Sequence, residues 1–268
     1  MSILQAIILG LVEGITEFLP VSSTGHLILT RDLLGLQGPS SDRTIVIIQG
    51  AAILAVCWEF RAKLFGTLMT LFSDAASRRF ALNLFIAFLP LAILGLAFED
   101  RIKAALFNPV TVAIALVVGG VVILWAEGRK HVERVQDVDQ ISWRDAVKLG
   151  FFQALALIPG TSRSGATIIG GLLSGLSRRT AAEFSFFSAI PVLLAATGHD
   201  LWKARHELAT TDVTPLVVSC VVSFVSALLV TKMLLRFVSK HSFAAFGWYR
   251  IAFGALILIT WKTGLIHW

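Results

Sequence analysis

The sequence predicts an all-α polytopic membrane protein: one integral-membrane domain over residues 1–268, built from two inverted-topology repeats. Three observations lead there. Of the 268 residues, 56% are hydrophobic and only 15% charged, against roughly 25% charged in soluble domains. Six apolar runs, at 44–60, 81–98, 109–127, 181–201, 213–236 and 243–262, are near the length of about 20 residues that crosses a bilayer as a helix. Two further apolar segments, 1–35 and 146–176, are each interrupted by a polar turn.

The first interrupted segment contains Glu13-Gly-Ile-Thr-Glu-Phe-Leu-Pro-Val-Ser-Ser-Thr-Gly-His26. Ionisable groups at membrane depth cost several kcal/mol each unless they are paired or face a cavity. Such a dense group therefore reads as a site. Glu13 and Glu17 are four apart and share a helix face. Pro20 ends that helix, because its ring clashes with the preceding turn and it has no N–H. Ser22, Ser23 and Thr24 follow as cap-type residues, and Gly25 permits close backbone approach. The halves 2–18 and 23–34 are short for full spans, so a re-entrant hairpin is expected. Irregular backbone at depth is tolerated where it lines a cavity.

A polar turn at 35–43 precedes three spans, with Trp58 and Trp125 near span ends as interfacial tryptophans. The stretch 128–145 is the longest polar one and reads as an extramembrane connection between repeat one (1–127) and repeat two (146–262). The second interrupted segment carries Pro159-Gly-Thr-Ser-Arg-Ser-Gly-Ala-Thr167. It breaks at Pro-Gly, is rich in hydroxyls and adds Arg163, a planar fork suited to phosphate oxygens. Carboxylates in one break, with a guanidinium and hydroxyls in the other, suggest a phosphate site with room for a divalent cation. Three more spans follow, with Trp202, Trp248 and Trp261 near their ends. A hairpin and three spans, twice over, place the halves in opposite orientation, and such repeats hold their sites on broken helices near the midplane.

Cys57 and Cys220 lie in apolar runs and read as small buried hydrophobes. The net charge of +6 marks a cytoplasmic face; no nucleic-acid partner is expected. Arg61, Lys63, Arg78, Arg79, Arg129, Lys130, Arg134, Arg144, Lys148, Arg178, Arg179, Arg236 and Lys240 fall on that face. Arg31, Arg43, Arg101, Lys103, Lys203, Arg205 and Lys262 fall on the other. Both termini are then outside.

The two interrupted motifs, together with Gln49-Gly50 and Glu183-Phe-Ser-Phe186, resemble those of the bacterial undecaprenyl-diphosphate phosphatases, also called the bacitracin-resistance phosphatases. The resemblance spans the full length and departs only at Thr161, where a bulky apolar residue is accepted. It implies hydrolysis of undecaprenyl diphosphate to the monophosphate carrier of peptidoglycan assembly. It further implies a divalent cation, Mg²⁺ or Ca²⁺, and a site open to the outer (periplasmic) face of the bacterial inner membrane. The expected partners are the lipid substrate and the bilayer; the oligomeric state, a homodimer included, stays open.

Diphosphate hydrolysis needs charge neutralisation, a nucleophile and a proton donor. Glu13 and Glu17 are the candidate metal ligands, through oxygen, and Glu17 is also a candidate catalytic group. His26 is the candidate acid–base, and Ser23 the candidate nucleophile or phosphate anchor, activated by His26. Ser22, Thr24, Ser162, Ser164, Gly165 and Thr167 are candidate substrate contacts, although a helix N-cap role competes for the hydroxyls. Arg163 is the candidate transition-state clamp, with a structural pairing to Glu13 or Glu17 as the alternative. Gln49 and Glu183 are further substrate-binding candidates; for Glu183 the alternative is a favourable helix dipole. Two other functions compete. A transporter of lipid-linked phosphates needs the cavity, the cation and Arg163 but no nucleophile. A type-2 phosphatidic-acid phosphatase needs a further histidine after Ser162-Arg163, where this chain has an apolar glycine-rich helix.

Overall fold

Ser2 starts the first helix with a capping box: its hydroxyl accepts from the Gln5 N–H and the Gln5 side chain accepts from the Ser2 N–H. In this computed structural model, which describes residues 1–36, 38–208 and 213–264, that helix is α1 (Ile3–Thr16). A turn over 17–22 leads to α2 (Ser23–Leu33). Ser142 and Asp145 repeat the capping box at the start of α7 (Trp143–Ala154). A 3-10 turn, Leu155–Leu157, and the Pro-Gly break then lead to α8 (Arg163–Leu173). These four helices have 14, 11, 12 and 11 residues. At about 1.5 Å per residue none spans a core of about 30 Å. Both interrupted segments are therefore helix–break–helix units, as the sequence predicts.

The long helices are α3 (Pro39–Glu59), α5 (Ala75–Leu106), α6 (Pro109–Glu127), α9 (Arg178–Leu208), α10 (Thr214–Val238) and α11 (Ala244–Lys262). Five are long and apolar enough to cross a membrane alone. The sixth, α3, turns by 76° at Phe60 into α4 (Arg61–Met69), a helix the hydropathy pattern did not predict. Two expected boundaries also change. Pro39 at the first turn starts α3 inside the stretch expected to be a turn, as a proline at that position permits. Helix α5 runs on to Leu106, past the expected end at 98. Position 37 of that turn lies outside the described residues, as do the side chains of Arg43 and Lys103.

Each broken pair leans on a helix of the other half. Helix α1 packs on α10, and α7 packs on α5. Small residues permit this. A Cβ on Gly10 would lie 2.5 Å from the Ser219 carbonyl oxygen, and one on Gly14 2.4 Å from that of Ser223, so the two backbones touch through glycine. Helices α6 and α11 pair along their length, and α3 crosses α9. The largest apolar cluster joins these layers around Phe18, Phe186 and Phe187. Phe18, at the first break, meets Phe186 edge-on at 5.6 Å between ring centres.

The loops at one end of the molecule are cross-bonded. Lys63 Nζ donates to Asp139 at 2.6 Å, and Arg79 donates to the Asp139 carbonyl at 2.7 Å. Arg134 pairs with Asp145, and Arg178 with Glu127. Glu127 also accepts from the Phe243 N–H. Lys63, Arg79, Arg134 and Arg178, four of the residues predicted for the basic face, thus gather at one end. Cys57 and Cys220 are half-buried free thiols.

Candidate active site

The breaks of the two hairpins meet, with residues of the second bonded to Glu17 and Leu19 of the first. Each uses the same unusual backbone. Ser22 has φ +71° and Ser162 φ +69°, the non-glycine residues at positive φ among those described. Each sits directly before the second helix of its pair, and such a conformation costs about 1–3 kcal/mol for a residue with a Cβ. The result aims the first turns of α2 and α8 at a shared space, where free N–H groups and the helix dipole favour an anion.

That space is a cavity of about 570 Å³. Its polar end is formed by Glu17, Ser22, Ser23, Thr24, Gln49, Ser162 and Arg163. The remainder is largely apolar, with Phe88, Leu91, Leu96 and Leu193 among its walls, and it extends to Phe107, His199 and Asp200.

Glu17 is the hub of the polar end. Its Oε2 accepts from the Ser23 hydroxyl at 2.6 Å, and its Oε1 faces Arg163 Nη2 at 3.4 Å. Arg163 Nη1 donates to the Ser185 carbonyl at 2.9 Å, which anchors one arm of the fork on α9. All three side chains are less than 10% exposed, so their charges act with little screening by water. The structural pairing that is the alternative for Arg163 is present, with Glu17, and at 3.4 Å it leaves the Nη2 arm loosely held.

One turn earlier, Glu13 is fully buried, and no donor reaches either of its carboxylate oxygens. A buried carboxylate without a partner calls for a cation or a proton. Glu13 and Glu17 together offer only oxygen, which suits a hard divalent ion. Among the described residues no group of three His, Cys, Asp or Glu side chains gathers to hold a metal. Two carboxyls from the protein would need phosphate oxygens to complete such a shell.

Several sequence expectations are corrected. His26 does not face Ser23. Its Nδ1 is 2.7 Å from the Ser22 carbonyl and its Nε2 2.6 Å from the Tyr249 hydroxyl. A carbonyl only accepts, so Nδ1 carries the proton, and in the neutral ring Nε2 accepts from Tyr249. The ring stacks on Phe253 at 4.0 Å and lies outside the cavity wall. Ser164 donates to the Leu19 carbonyl at 2.7 Å and stitches α8 to the first break. Thr167 donates to the Arg163 carbonyl within its own helix. Gly165 lies on the far side of α8, against Arg250. Glu183 pairs with Arg179 at 2.8 Å on the first turns of α9, away from the cavity. The hydroxyls also divide: Ser162 caps α8 by accepting from the Gly165 N–H, whereas the Ser22 side chain makes no capping bond.

Sequence reasoning missed Arg250. It is 1% exposed on α11 and hydrogen-bonds to both breaks, at the Pro20 and Gly160 carbonyls. The rule that singled out Glu13, an ionisable residue inside an apolar run, points to it equally.

The family model of bacitracin resistance protein BacA matches residues 6–256. The chain belongs to the BacA family. A relative from Dechloromonas aromatica (strain RCB), named undecaprenyl-diphosphatase, is 58% identical over 266 residues, covering 99% of this chain and 97% of its own. Relatives of the same name from Nitrosospira multiformis and Pseudomonas aeruginosa PAO1 are each 56% identical. They cover 99% and 98% of this chain, and 97% and 95% of their own lengths. As a BacA-family member with five spanning helices and a bent sixth, the chain is a multi-pass membrane protein.

Proposed function

We propose that this protein hydrolyses undecaprenyl diphosphate to undecaprenyl phosphate and inorganic phosphate, recycling the lipid carrier for peptidoglycan synthesis and so conferring bacitracin resistance. The observation that carries this reading is the Ser23–Glu17–Arg163 constellation at the polar end of an otherwise apolar cavity. The diphosphate matches the polar end and the prenyl chain the apolar remainder. The names of the relatives agree.

Ser23 Oγ attacks the terminal phosphorus while its proton passes to Glu17 Oε2. The bond from that phosphorus to the bridging oxygen breaks, its electron pair leaves with undecaprenyl phosphate, and the proton on Glu17 passes to that leaving oxygen. Glu17, a carboxylate again, then takes a proton from a water that attacks the phosphoserine; the P–Oγ bond breaks, phosphate leaves, and that proton returns to Ser23 Oγ. Arg163 meets the charge on the transferring phosphoryl group through its loosely held arm. Glu13 and Glu17 would hold Mg²⁺ or Ca²⁺, which when bound neutralises the diphosphate. A transporter has no use for a hydroxyl already bonded to a buried carboxylate, so the phosphatase reading is preferred.

The site opens to the outer face of the inner membrane in this reading. The cross-bonded basic end is cytoplasmic by the positive-inside rule. The cavity reaches Ile102, Phe107 and Asp200, at the opposite ends of α5 and α9. Two inverted repeats are supported by the paired serines at positive φ and by the reciprocal packing of α1 on α10 and α7 on α5.

The test is phosphate release from undecaprenyl diphosphate by the purified protein, with Mg²⁺, with Ca²⁺ and with chelator. Release of equimolar phosphate and undecaprenyl phosphate, abolished by chelator, is expected. No release with either ion refutes the reading.

A further inference from the structure

Arg250 is a buried cation whose four hydrogen bonds all go to main-chain carbonyls. Nη1 donates to Pro20 at 3.2 Å, and Nη2 to Gly160 at 3.0 Å and to Ala115 at 3.1 Å. Nε donates to Leu116 at 3.3 Å. Pro20 and Gly160 are equivalent positions: each lies two residues before the serine at positive φ. One rigid guanidinium thus spans both breaks, while the α6 carbonyls tie it to the scaffold. Backbone groups freed by a helix break at membrane depth need partners inside the protein, and Arg250 supplies one to each break. The space is shaped for it. A Cβ on Gly119 would lie 2.2 Å from Nη2, and one on Gly165 3.1 Å from Nη1.

Arg250 does not reach the reacting groups itself. It lies behind the breaks, and Gly165 separates it from the cavity side of α8. The reacting groups, however, ride on the two turns it joins: Glu17 and Ser23 on the first, Ser162 and Arg163 on the second.

We propose that Arg250 is a positioning residue of the phosphatase site, fixing the distance between the two broken turns and hence between Ser23–Glu17 and Arg163. This rests on the phosphatase reading above. A misplacement of about 1 Å can cost 10²-fold in rate. An ammonium has the charge but not the planar fork, so Arg250→Lys keeps the buried cation and loses the span between the turns.

The experiment measures kcat, KM and thermal stability for purified wild type, Arg250→Lys, Gly119→Ala and the double variant, on undecaprenyl diphosphate with Mg²⁺. Gly119→Ala displaces the guanidinium without altering Arg250. Both single variants should lose about 10–10²-fold in kcat, with KM within about threefold of wild type because no contact to the lipid is removed. The double variant should be no slower than the slower single, since both act through one element. Wild-type kcat in a folded Arg250→Lys or in Gly119→Ala overturns the proposal, as does a loss of stability with kcat unchanged. If Arg250→Lys does not fold, Gly119→Ala alone decides by the same criterion. A wild type that releases no phosphate overturns the phosphatase reading instead, and the positioning role with it.

Discussion

The Ser23 hydroxyl donates to Glu17 Oε2 at 2.6 Å across the break between α1 and α2, while His26, one turn further on, directs both ring nitrogens elsewhere. The base already in contact with the candidate nucleophile is therefore a carboxylate six residues upstream. Its position depends on the turn at Pro20 and on the positive φ of Ser22. His26, stacked on Phe253 and bonded to Tyr249, fastens α2 to α11.

Arg163→Lys should reduce turnover by about 10²–10³-fold, the loss typical of removing one preorganised transition-state donor. A point charge cannot hold the Ser185 carbonyl with one arm and a phosphoryl oxygen with the other. Steady-state phosphate release measures this, and near wild-type turnover would remove Arg163 from catalysis.

Glu13→Gln and Glu17→Gln should differ. Glu13 touches no donor and lies outside the cavity wall, so its loss should raise the Mg²⁺ concentration for half-maximal activity and spare much of the rate at saturation. Glu17 also takes the Ser23 proton, so its loss should abolish turnover at every Mg²⁺ concentration. Identical Mg²⁺ titrations for wild type and Glu13→Gln would place the ion elsewhere.

Membrane orientation follows from thiol labelling, with Cys57 and Cys220 first replaced by alanine. A cysteine at Val132, exposed in the connecting loop, should be protected from an impermeant reagent in intact cells. One at Ala105, exposed near the end of α5, should react. The reverse pattern would place the cavity mouth on the cytoplasmic side.

Much of this arrangement was legible in the chain because hydropathy and charge conflict at few places. Glu13, Glu17, Ser23 and Arg163 stand out as polar groups within apolar runs, and Pro20 and Pro159 mark the breaks. What stayed hidden depends on geometry across those breaks. Ser23 and His26 are near neighbours in sequence, yet the helix turns the imidazole toward α11. Glu183 looked suited to the site, but Arg179 one turn earlier holds it on the surface of α9. The bend after α3 has no proline or glycine at Phe60, and the mixed polarity of Arg61 and Lys63 concealed a short helix. Arg250 is the exception: its place inside an apolar run marks it by the same rule as Glu13, and only its partners, carbonyls 90 and 230 residues away, depend on the fold.

The central claim is that Ser23, activated by Glu17, attacks the terminal phosphorus. It is tested most directly by measuring phosphate release and lipid binding together for wild type and Ser23→Ala. The account predicts that Ser23→Ala binds undecaprenyl diphosphate nearly as wild type does, because Arg163, both carboxylates and the apolar wall remain, yet releases no phosphate. Turnover retained in Ser23→Ala would contradict it and make a water held by Glu17 the attacking group.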